Sequence, residues 1–177
     1  RAASSCTIPF INAGDGPGQH PTQALLDLYT IQKELRTIDN IHIAMVGDLK
    51  FGRTVHSLSQ LLTLFNNIRI TYVSPKELRI PEKLQSSLKQ HNITYTESDD
   101  MADALKADIV YMTRVQGERF TDPKEYERLK LRYILNAAML EGKKAIVLHP
   151  LPRVGEIALD VDALPNAAYF RQAGNGV

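Results

Sequence analysis

The sequence is poor in the features that several common classes of protein need. Its 177 residues include one cysteine, so an internal disulfide and a cysteine-rich zinc site are both excluded, and a reducing compartment, the cytoplasm, is expected. No apolar run approaches the roughly 18 residues of a membrane span. The 21 Lys and Arg nearly balance the 20 Asp and Glu, so the chain lacks the basic excess of a nucleic-acid or membrane-surface binder. We therefore expect neither nucleic acid nor membrane as a partner.

Both ends of the sequence also lack the features of a natural terminus. The chain has no initiating Met, and its first ten residues contain no apolar core of a signal peptide. It stops at Gly176 and Val177, just after a polar turn. We expect the sequence to be a piece of a longer protein.

Short apolar runs alternate with amphipathic stretches along most of the chain. This alternation predicts an α/β fold, a doubly wound parallel sheet with helices on both faces. The predicted strands are residues 8–11, 41–46, 69–73, 93–96, 108–112 and 145–148. The predicted helices are residues 21–35, 54–65, 82–91, 100–106 and 123–132. In the first helix, one face is predicted to carry Leu25, Leu28, Tyr29, Gln32 and Leu35.

The pattern also suggests how the chain is divided. A long helix ends near residues 37–40, where a complete β/α alternation begins, and a second boundary is expected near Leu164 and Pro165. Residues 39–166 are predicted to form a compact domain. Residues 1–38 and 167–177 are predicted to belong to another part of the protein.

Two arginines follow the carboxyl ends of predicted strands, where ligands bind in open α/β sheets. Arg53 follows the strand 41–46, and Arg114, with Gln116 nearby, follows the strand 108–112. A guanidinium offers paired donors in a plane that matches a carboxylate. Two of them at one crevice would suit a small dicarboxylate. The alternative is that each arginine forms a surface ion pair.

Two histidine-containing segments could also contact a ligand. His20 and Gln23 lie at a predicted helix start, where an imidazole could donate to a carbonyl oxygen as charge develops there. A solvated, helix-capping His20 is an equally good interpretation. In residues 149–153, two prolines remove backbone donors, so the backbone carbonyls could accept from a ligand amine. The simpler interpretation is a rigid strand exit.

Residues 47–54 have the spacing of a phosphate-binding loop. Arg53 stands where that loop has lysine, and no second strand ends in an aspartate that could hold magnesium. Nucleotide hydrolysis therefore remains a minority interpretation. His42, His56 and His91 have no ligand partners at metal-binding spacing, so no metal or other cofactor is predicted.

Five sequence blocks together resemble the aspartate/ornithine carbamoyltransferase family. They are residues 14–27, 46–57, 111–116, 149–153 and 169–176, in the family's order and spread over nearly the whole chain. The resemblance favours the aspartate branch, because ornithine enzymes typically have Cys where Pro150 stands and carry a Ser-Met-Gly loop that is absent here. The Thr-Arg-Val-Gln block around Arg114 belongs to the aspartate branch.

The resemblance implies transfer of a carbamoyl group from carbamoyl phosphate to L-aspartate, in pyrimidine biosynthesis, without a cofactor. It implies that residues 39–166 bind aspartate and that residues 1–38 end the carbamoyl-phosphate domain with an interdomain helix. His20 would donate to the carbonyl oxygen of carbamoyl phosphate. The implied carbamoyl-phosphate site further contains Gln23, Pro150, Leu151 and Pro152, with a cis peptide before Pro152. The implied aspartate site contains Arg53, Arg114 and Gln116.

The resemblance also implies parts that this sequence does not contain. The family's phosphate-binding Ser-Thr-Arg-Thr block and the loop lent by a neighbouring subunit are missing, and the C-terminal helix, begun at residues 167–177, is cut. We therefore expect this piece alone to be inactive, and the full-length chain to form a homotrimer that could associate with a regulatory chain or fused pathway enzymes. An ornithine-type enzyme, a nucleotide-binding domain and a non-catalytic homologue stay open as alternatives.

Overall fold

The computed structural model describes residues 7–16 and 18–177, and its centre is a sheet of five parallel strands. The strands are β1 (His42–Val46), β2 (Arg69–Val73), β3 (Thr94–Ser98), β4 (Ile109–Met112) and β5 (Ile146–Leu148). Their order across the sheet is β3-β2-β1-β4-β5, and every neighbouring pair runs parallel. The predicted parallel sheet is confirmed.

In the described part of the chain, six α-helices and several short 3-10 turns surround the sheet. The helices are α1 (Pro21–Leu35), α2 (Arg53–Leu62), α3 (Glu82–Gln90), α4 (Met101–Ala104), α5 (Pro123–Leu129) and α6 (Tyr169–Gly174). Pro21 suits the first turn of α1, and Arg36 ends that helix in the left-handed conformation. The predicted helices are present, although α2, α4 and α5 are shorter than predicted. Among the described residues, no helix combines the length and apolarity that a membrane span needs.

The helices cover both faces of the sheet because strand side chains alternate between the faces. Ile43 and Met45 of β1 pack in one core with apolar residues of α1, α2 and α3. Ala44 and Val46 pack in a second core, which includes Ala104 of α4 and residues of the C-terminal part of the chain. This two-sided burial is the doubly wound arrangement that the sequence predicts.

Two local predictions are wrong. Residues 8–11 do not form a strand: Ile8 and Ile11 are 71% and 82% exposed, and this segment pairs with no strand of the described chain. An isolated strand leaves its backbone polar groups unpaired, so apolar residues alone cannot produce one. On α1, Leu25 and Tyr29 are 60% and 53% exposed, whereas Ala24, Leu28 and Ile31 are buried against the sheet and its neighbouring helices. The buried face of α1 is therefore rotated from the predicted one.

The topology creates a crevice at one edge of the sheet. The chain builds outward from β1 to β2 and β3, then returns to place β4 on the other side of β1. The connections that follow β1 and β4 diverge, which opens a crevice beyond their carboxyl ends. Gly47, directly after β1, has φ +113°, and a Cβ there would lie 2.4 Å from the carbonyl oxygen of Thr113. Only glycine lets the two strand exits approach this closely.

Candidate active site

A cavity of about 240 Å³ lies at this crevice. It is lined by all eight predicted site residues: His20, Gln23, Arg53, Arg114, Gln116, Pro150, Leu151 and Pro152. It is also lined by four residues that were not selected, all neighbours of selected ones in the same loops: Gly52, Thr54, Thr113 and His149. A larger and more open groove of about 760 Å³, beside residues 137–144, contains none of the selected residues.

Asp48 ties together the two loops that carry the arginines. Its buried carboxylate accepts a hydrogen bond from the backbone N–H of Phe51 at 2.9 Å and from that of Gln116 at 3.3 Å. Burial raises the pKa of Asp48, and these two hydrogen bonds oppose the rise. Because the carboxylate occupies the loop 47–54 from within, this loop is poorly suited to phosphates. The geometry thus disfavours the nucleotide-binding interpretation.

The two arginines line the same cavity but have different partners. Arg53 is the first residue of α2, and its Nη1 donates to the backbone oxygen of Gly16 at 2.8 Å. Arg114 donates to both carboxylate oxygens of Glu118, at 2.7 and 3.3 Å. The ion-pair alternative therefore applies to Arg114, whereas Arg53 forms no ion pair within the described part of the chain. Gln116 donates to the backbone oxygen of Phe51 at 3.1 Å, which holds its side chain across the two loops.

His20 is held at the start of α1. Its backbone N–H donates to Ser57 Oγ at 2.9 Å, and the Thr22 hydroxyl lies 3.4 Å from its Nδ1. Burial, and then the positive charge of Arg53, lower the pKa of His20. The imidazole is therefore neutral at neutral pH. In this form it has one N–H with which to donate to a ligand oxygen.

The loop after β5 is fixed by a buried histidine. His149 Nδ1 accepts the backbone N–H of Leu151 at 2.8 Å, so its other nitrogen carries the proton and donates to Glu156 Oε1 at 2.7 Å. The Leu151–Pro152 peptide bond is cis, as expected, and Leu151 has φ +51°. Pro150, Leu151 and Pro152 of this loop line the cavity.

Asp27 and Gln172, which were not predicted to be site residues, lie behind the cavity wall. The Gln23 amide donates to Asp27 at 2.8 Å, and the Gln172 amide donates to the same carboxylate oxygen at 2.6 Å. The four-residue spacing of Gln23 and Asp27 on a predicted helix was a usable signal, because such residues are neighbours on a helix surface. No comparable signal existed for Gln172, which is 145 residues away from Asp27.

The described residues offer little for a metal. No group of three or more His, Cys, Asp or Glu side chains among them is placed to hold a metal ion. The cavity is instead lined by two arginines and two glutamine amides, a set suited to an organic anion.

Comparison with protein-family models gives two matches. The Asp/Orn binding domain of aspartate/ornithine carbamoyltransferase matches residues 39–177. The carbamoyl-P binding domain of the same family matches residues 1–33. Together, the two family models match the whole chain except residues 34–38.

Comparison with individual proteins gives the same family. The aspartate carbamoyltransferase catalytic subunit of Methanobrevibacter smithii is 57% identical over 171 residues, which are 96% of this chain and 54% of the relative. The catalytic subunit of Methanocaldococcus jannaschii aspartate transcarbamoylase superimposes with a TM-score of 0.91 at 53% identity, over 99% of this chain and 57% of that one.

A third relative was solved with ligands. Trypanosoma cruzi aspartate transcarbamoylase in complex with carbamoyl phosphate and aspartate gives a TM-score of 0.89 at 41% identity, over 99% of this chain and 59% of that one. The present chain thus spans little more than half the length of its relatives. On the strength of these matches, the chain belongs to the aspartate/ornithine carbamoyltransferase family.

Proposed function

We propose that the full-length enzyme containing these residues transfers the carbamoyl group of carbamoyl phosphate to L-aspartate. The products are N-carbamoyl-L-aspartate and phosphate, and the reaction belongs to de novo pyrimidine biosynthesis. The main support is that the eight residues selected from the sequence line a single cavity. The names of the relatives and the ligands of the Trypanosoma cruzi structure support the same reaction.

Aspartate would bind through the two guanidiniums. Arg53 and Arg114 present planar pairs of donors to the cavity, one for each carboxylate of the substrate, and Gln116 adds an amide. Ornithine has a cationic side chain in place of the second carboxylate, so a second arginine would repel it. The aspartate reaction therefore fits the charges of the cavity better than the ornithine reaction.

The carbamoyl group would bind between His20, Gln23 and the loop 150–152. The aspartate amine attacks the carbamoyl carbon, and the carbonyl oxygen gains negative charge in a tetrahedral intermediate. The C–O bond to phosphate then breaks, and the proton lost by the attacking amine leaves with the phosphate. The N–H of the neutral His20 stabilises the developing charge on the oxygen. Gln23 accepts from one N–H of the carbamoyl amine and the carbonyls of Pro150 and Leu151 accept from the other, which fixes the orientation of the carbon under attack.

We further propose the assembly and setting of the full-length enzyme. Residues 1–38 would complete a carbamoyl-phosphate domain, residues 39–166 the aspartate domain, and residues 167–177 the start of a helix that returns to the first domain. The enzyme would be a cytoplasmic homotrimer with shared active sites, with or without a regulatory chain or fused pathway enzymes. Sedimentation of the full-length enzyme at a mass other than a multiple of three chains would contradict this assembly.

The reaction is tested by product analysis. The full-length enzyme is incubated with carbamoyl phosphate and either L-aspartate or L-ornithine, and the carbamoylated amino acid and phosphate are quantified. N-carbamoyl-L-aspartate is expected as the dominant product, and a preference for ornithine or the absence of both products contradicts the proposal. The isolated 177 residues are expected to show negligible turnover, because they supply only part of the substrate-binding surface.

A further inference from the structure

Asp27 is a buried carboxylate directly behind the cavity. Its side chain is fully buried on α1, one helical turn after Gln23. Three side-chain donors surround it: Gln23 at 2.8 Å, Gln172 at 2.6 Å and the Tyr111 hydroxyl at 2.8 Å. A buried carboxylate needs such partners, because desolvation of an unpaired charge is costly. The three donors come from α1, α6 and β4, so the carboxylate joins three elements.

The orientation of Gln172 is fixed independently of Asp27. The backbone N–H of His149 can only donate, and it donates to Gln172 Oε1 at 2.8 Å. The amide nitrogen of Gln172 must then face Asp27, where it donates. Asp27 thus connects α1 to the start of the loop that carries Pro150 and Leu151.

Gln23 has only one orientation compatible with this carboxylate. An ionised Asp27 accepts and cannot donate, so the amide nitrogen of Gln23 faces Asp27 and its oxygen is left for the cavity. If the amide rotated by half a turn, two oxygens would meet in a buried place. Since the carbamoyl amine of the proposed substrate is a donor, the oxygen of Gln23 is the group that it requires.

We propose that Asp27 is a positioning residue that orients the Gln23 amide so that its oxygen accepts from the amine of carbamoyl phosphate. The inference rests on the function proposed above and deepens it. Asp27 thereby determines which acyl phosphate the cavity prefers. Acetyl phosphate, which has a methyl group in place of the amine, gains nothing from this orientation.

The comparison of these two phosphates separates positioning from general support of the fold. In the full-length enzyme, Asp27→Ala is expected to raise the KM for carbamoyl phosphate about tenfold, the effect of one lost hydrogen bond. The inhibition constant of acetyl phosphate, measured as a competitor of carbamoyl phosphate, is expected to stay within twofold. A variant that only destabilised the fold would weaken the binding of both phosphates equally.

Two variants of the same residue strengthen the test. Asp27→Asn keeps an oxygen for Gln23 and Gln172 and can donate to the Tyr111 hydroxyl, so it is expected to recover most of the affinity for carbamoyl phosphate. Asp27→Ser keeps a polar group that can bond the helix backbone but is too short to reach the Gln23 amide. Asp27→Ser is expected to weaken the binding of carbamoyl phosphate but not that of acetyl phosphate. It therefore replaces Asp27→Ala in the test if Asp27→Ala does not fold.

The matched control is Thr30→Ala on the same helix. Thr30 is also fully buried, and its hydroxyl bonds Leu26 and Asn175 and takes no part in the cavity wall. Thr30→Ala is expected to lower thermal stability without changing the ratio of the KM for carbamoyl phosphate to the inhibition constant of acetyl phosphate. Equal effects on carbamoyl phosphate and acetyl phosphate in the Asp27 variants, or the same selective loss in Thr30→Ala, overturn the inference. A wild-type enzyme that does not carbamoylate aspartate overturns the proposed function instead.

Discussion

The guanidinium of Arg114, which lines the cavity, holds the carboxylate of Glu118, four residues further along the chain, through two hydrogen bonds. The pair uses two of the five N–H donors of the arginine, so three donors remain for a ligand. Both side chains are partly exposed, and such a pair contributes little to stability. Its effect is to restrict a long side chain, which lowers the entropy lost when Arg114 binds a ligand.

Removing the charge of Glu118 is therefore expected to affect the use of aspartate. Glu118→Gln loses the bidentate pair and leaves Arg114 free to sample other rotamers. The KM for aspartate is expected to rise about five- to tenfold, with a smaller change in that for carbamoyl phosphate, in steady-state assays of the full-length enzyme. Asp103→Asn is the matched control, because Asp103 forms an exposed pair with Lys106, with 2.7 Å between the carboxylate and the ammonium, and neither residue lines the cavity. An unchanged KM for aspartate in Glu118→Gln would show that the pair does not orient Arg114.

Arg114 itself is expected to be required for aspartate. Arg114→Ala removes one of the two guanidiniums of the cavity and is expected to lower kcat/KM for aspartate about 100-fold. The binding of carbamoyl phosphate, measured by calorimetry without aspartate, is expected to change far less. Lys106→Ala removes the exposed cation of the control pair and is expected to have no such effect. Unchanged aspartate kinetics in Arg114→Ala would eliminate the proposed role.

The sequence predicted the sheet well because four of its strands, β1, β2, β4 and β5, are short and mostly buried apolar runs. Such runs need no distant information, whereas the edge strand β3 is polar and partly exposed and was predicted from the alternation of strands and helices. All five strands were found within one or two residues. The prediction failed at residues 8–11, where an equally apolar run has no partner strand in the described chain. On α1, the exposed Leu25 and Tyr29 misled the choice of the buried face. Apolar character predicts burial only where a second surface is available to cover it.

The segment 117–130, directly after Arg114, is expected to become more protected when substrates bind. Its short turns rest on a small separate cluster that includes Val115, Leu129 and Tyr126, and on neither of the two large cores. Segments with few buried contacts open at low free energy. Amide hydrogen exchange of the full-length enzyme is expected to slow there with N-(phosphonacetyl)-L-aspartate, while α3 stays unchanged as the internal reference. Equal exchange in this segment with and without the analogue would contradict the expectation.

The site was predicted less completely than the sheet. Arg53 and Arg114 could be selected because each follows the carboxyl end of a predicted strand. That the two strands, β1 and β4, are neighbours in the sheet is known only from the structure. The roles given to His20, Gln23 and the loop 150–152 depended on the family resemblance. Asp27 and Gln172 bond each other only because α6 returns to α1, and this closure is a tertiary contact that neither local pattern contains.

Burial of Asp27 has a measurable consequence for stability. Burial raises the pKa of Asp27 to about 6, from an ordinary value of 3.8, although hydrogen bonds from Gln172, Tyr111 and Gln23 oppose the rise. Between these two pH values, the native state keeps a proton that the unfolded state has lost. The free energy of unfolding contributed by Asp27 is therefore fully present below about pH 4 and falls as the pH rises to about 6.

Asp27→Asn removes this titration, so the difference between variant and wild type isolates it. The stability of the variant relative to wild type is expected to rise by about 1.4 kcal/mol per pH unit between pH 4 and 6, about 3 kcal/mol in all, and to stay constant above. Urea unfolding of the chain at several pH values between 4.5 and 7.5 measures the difference. Thr30→Ala, which removes no titrating group, should differ from wild type by the same amount at every pH. The expectation is wrong if the free energies of unfolding of Asp27→Asn and wild type also differ by the same amount at every pH. Asp27 would then have the same pKa in the folded and unfolded chains, and its burial would not raise that pKa.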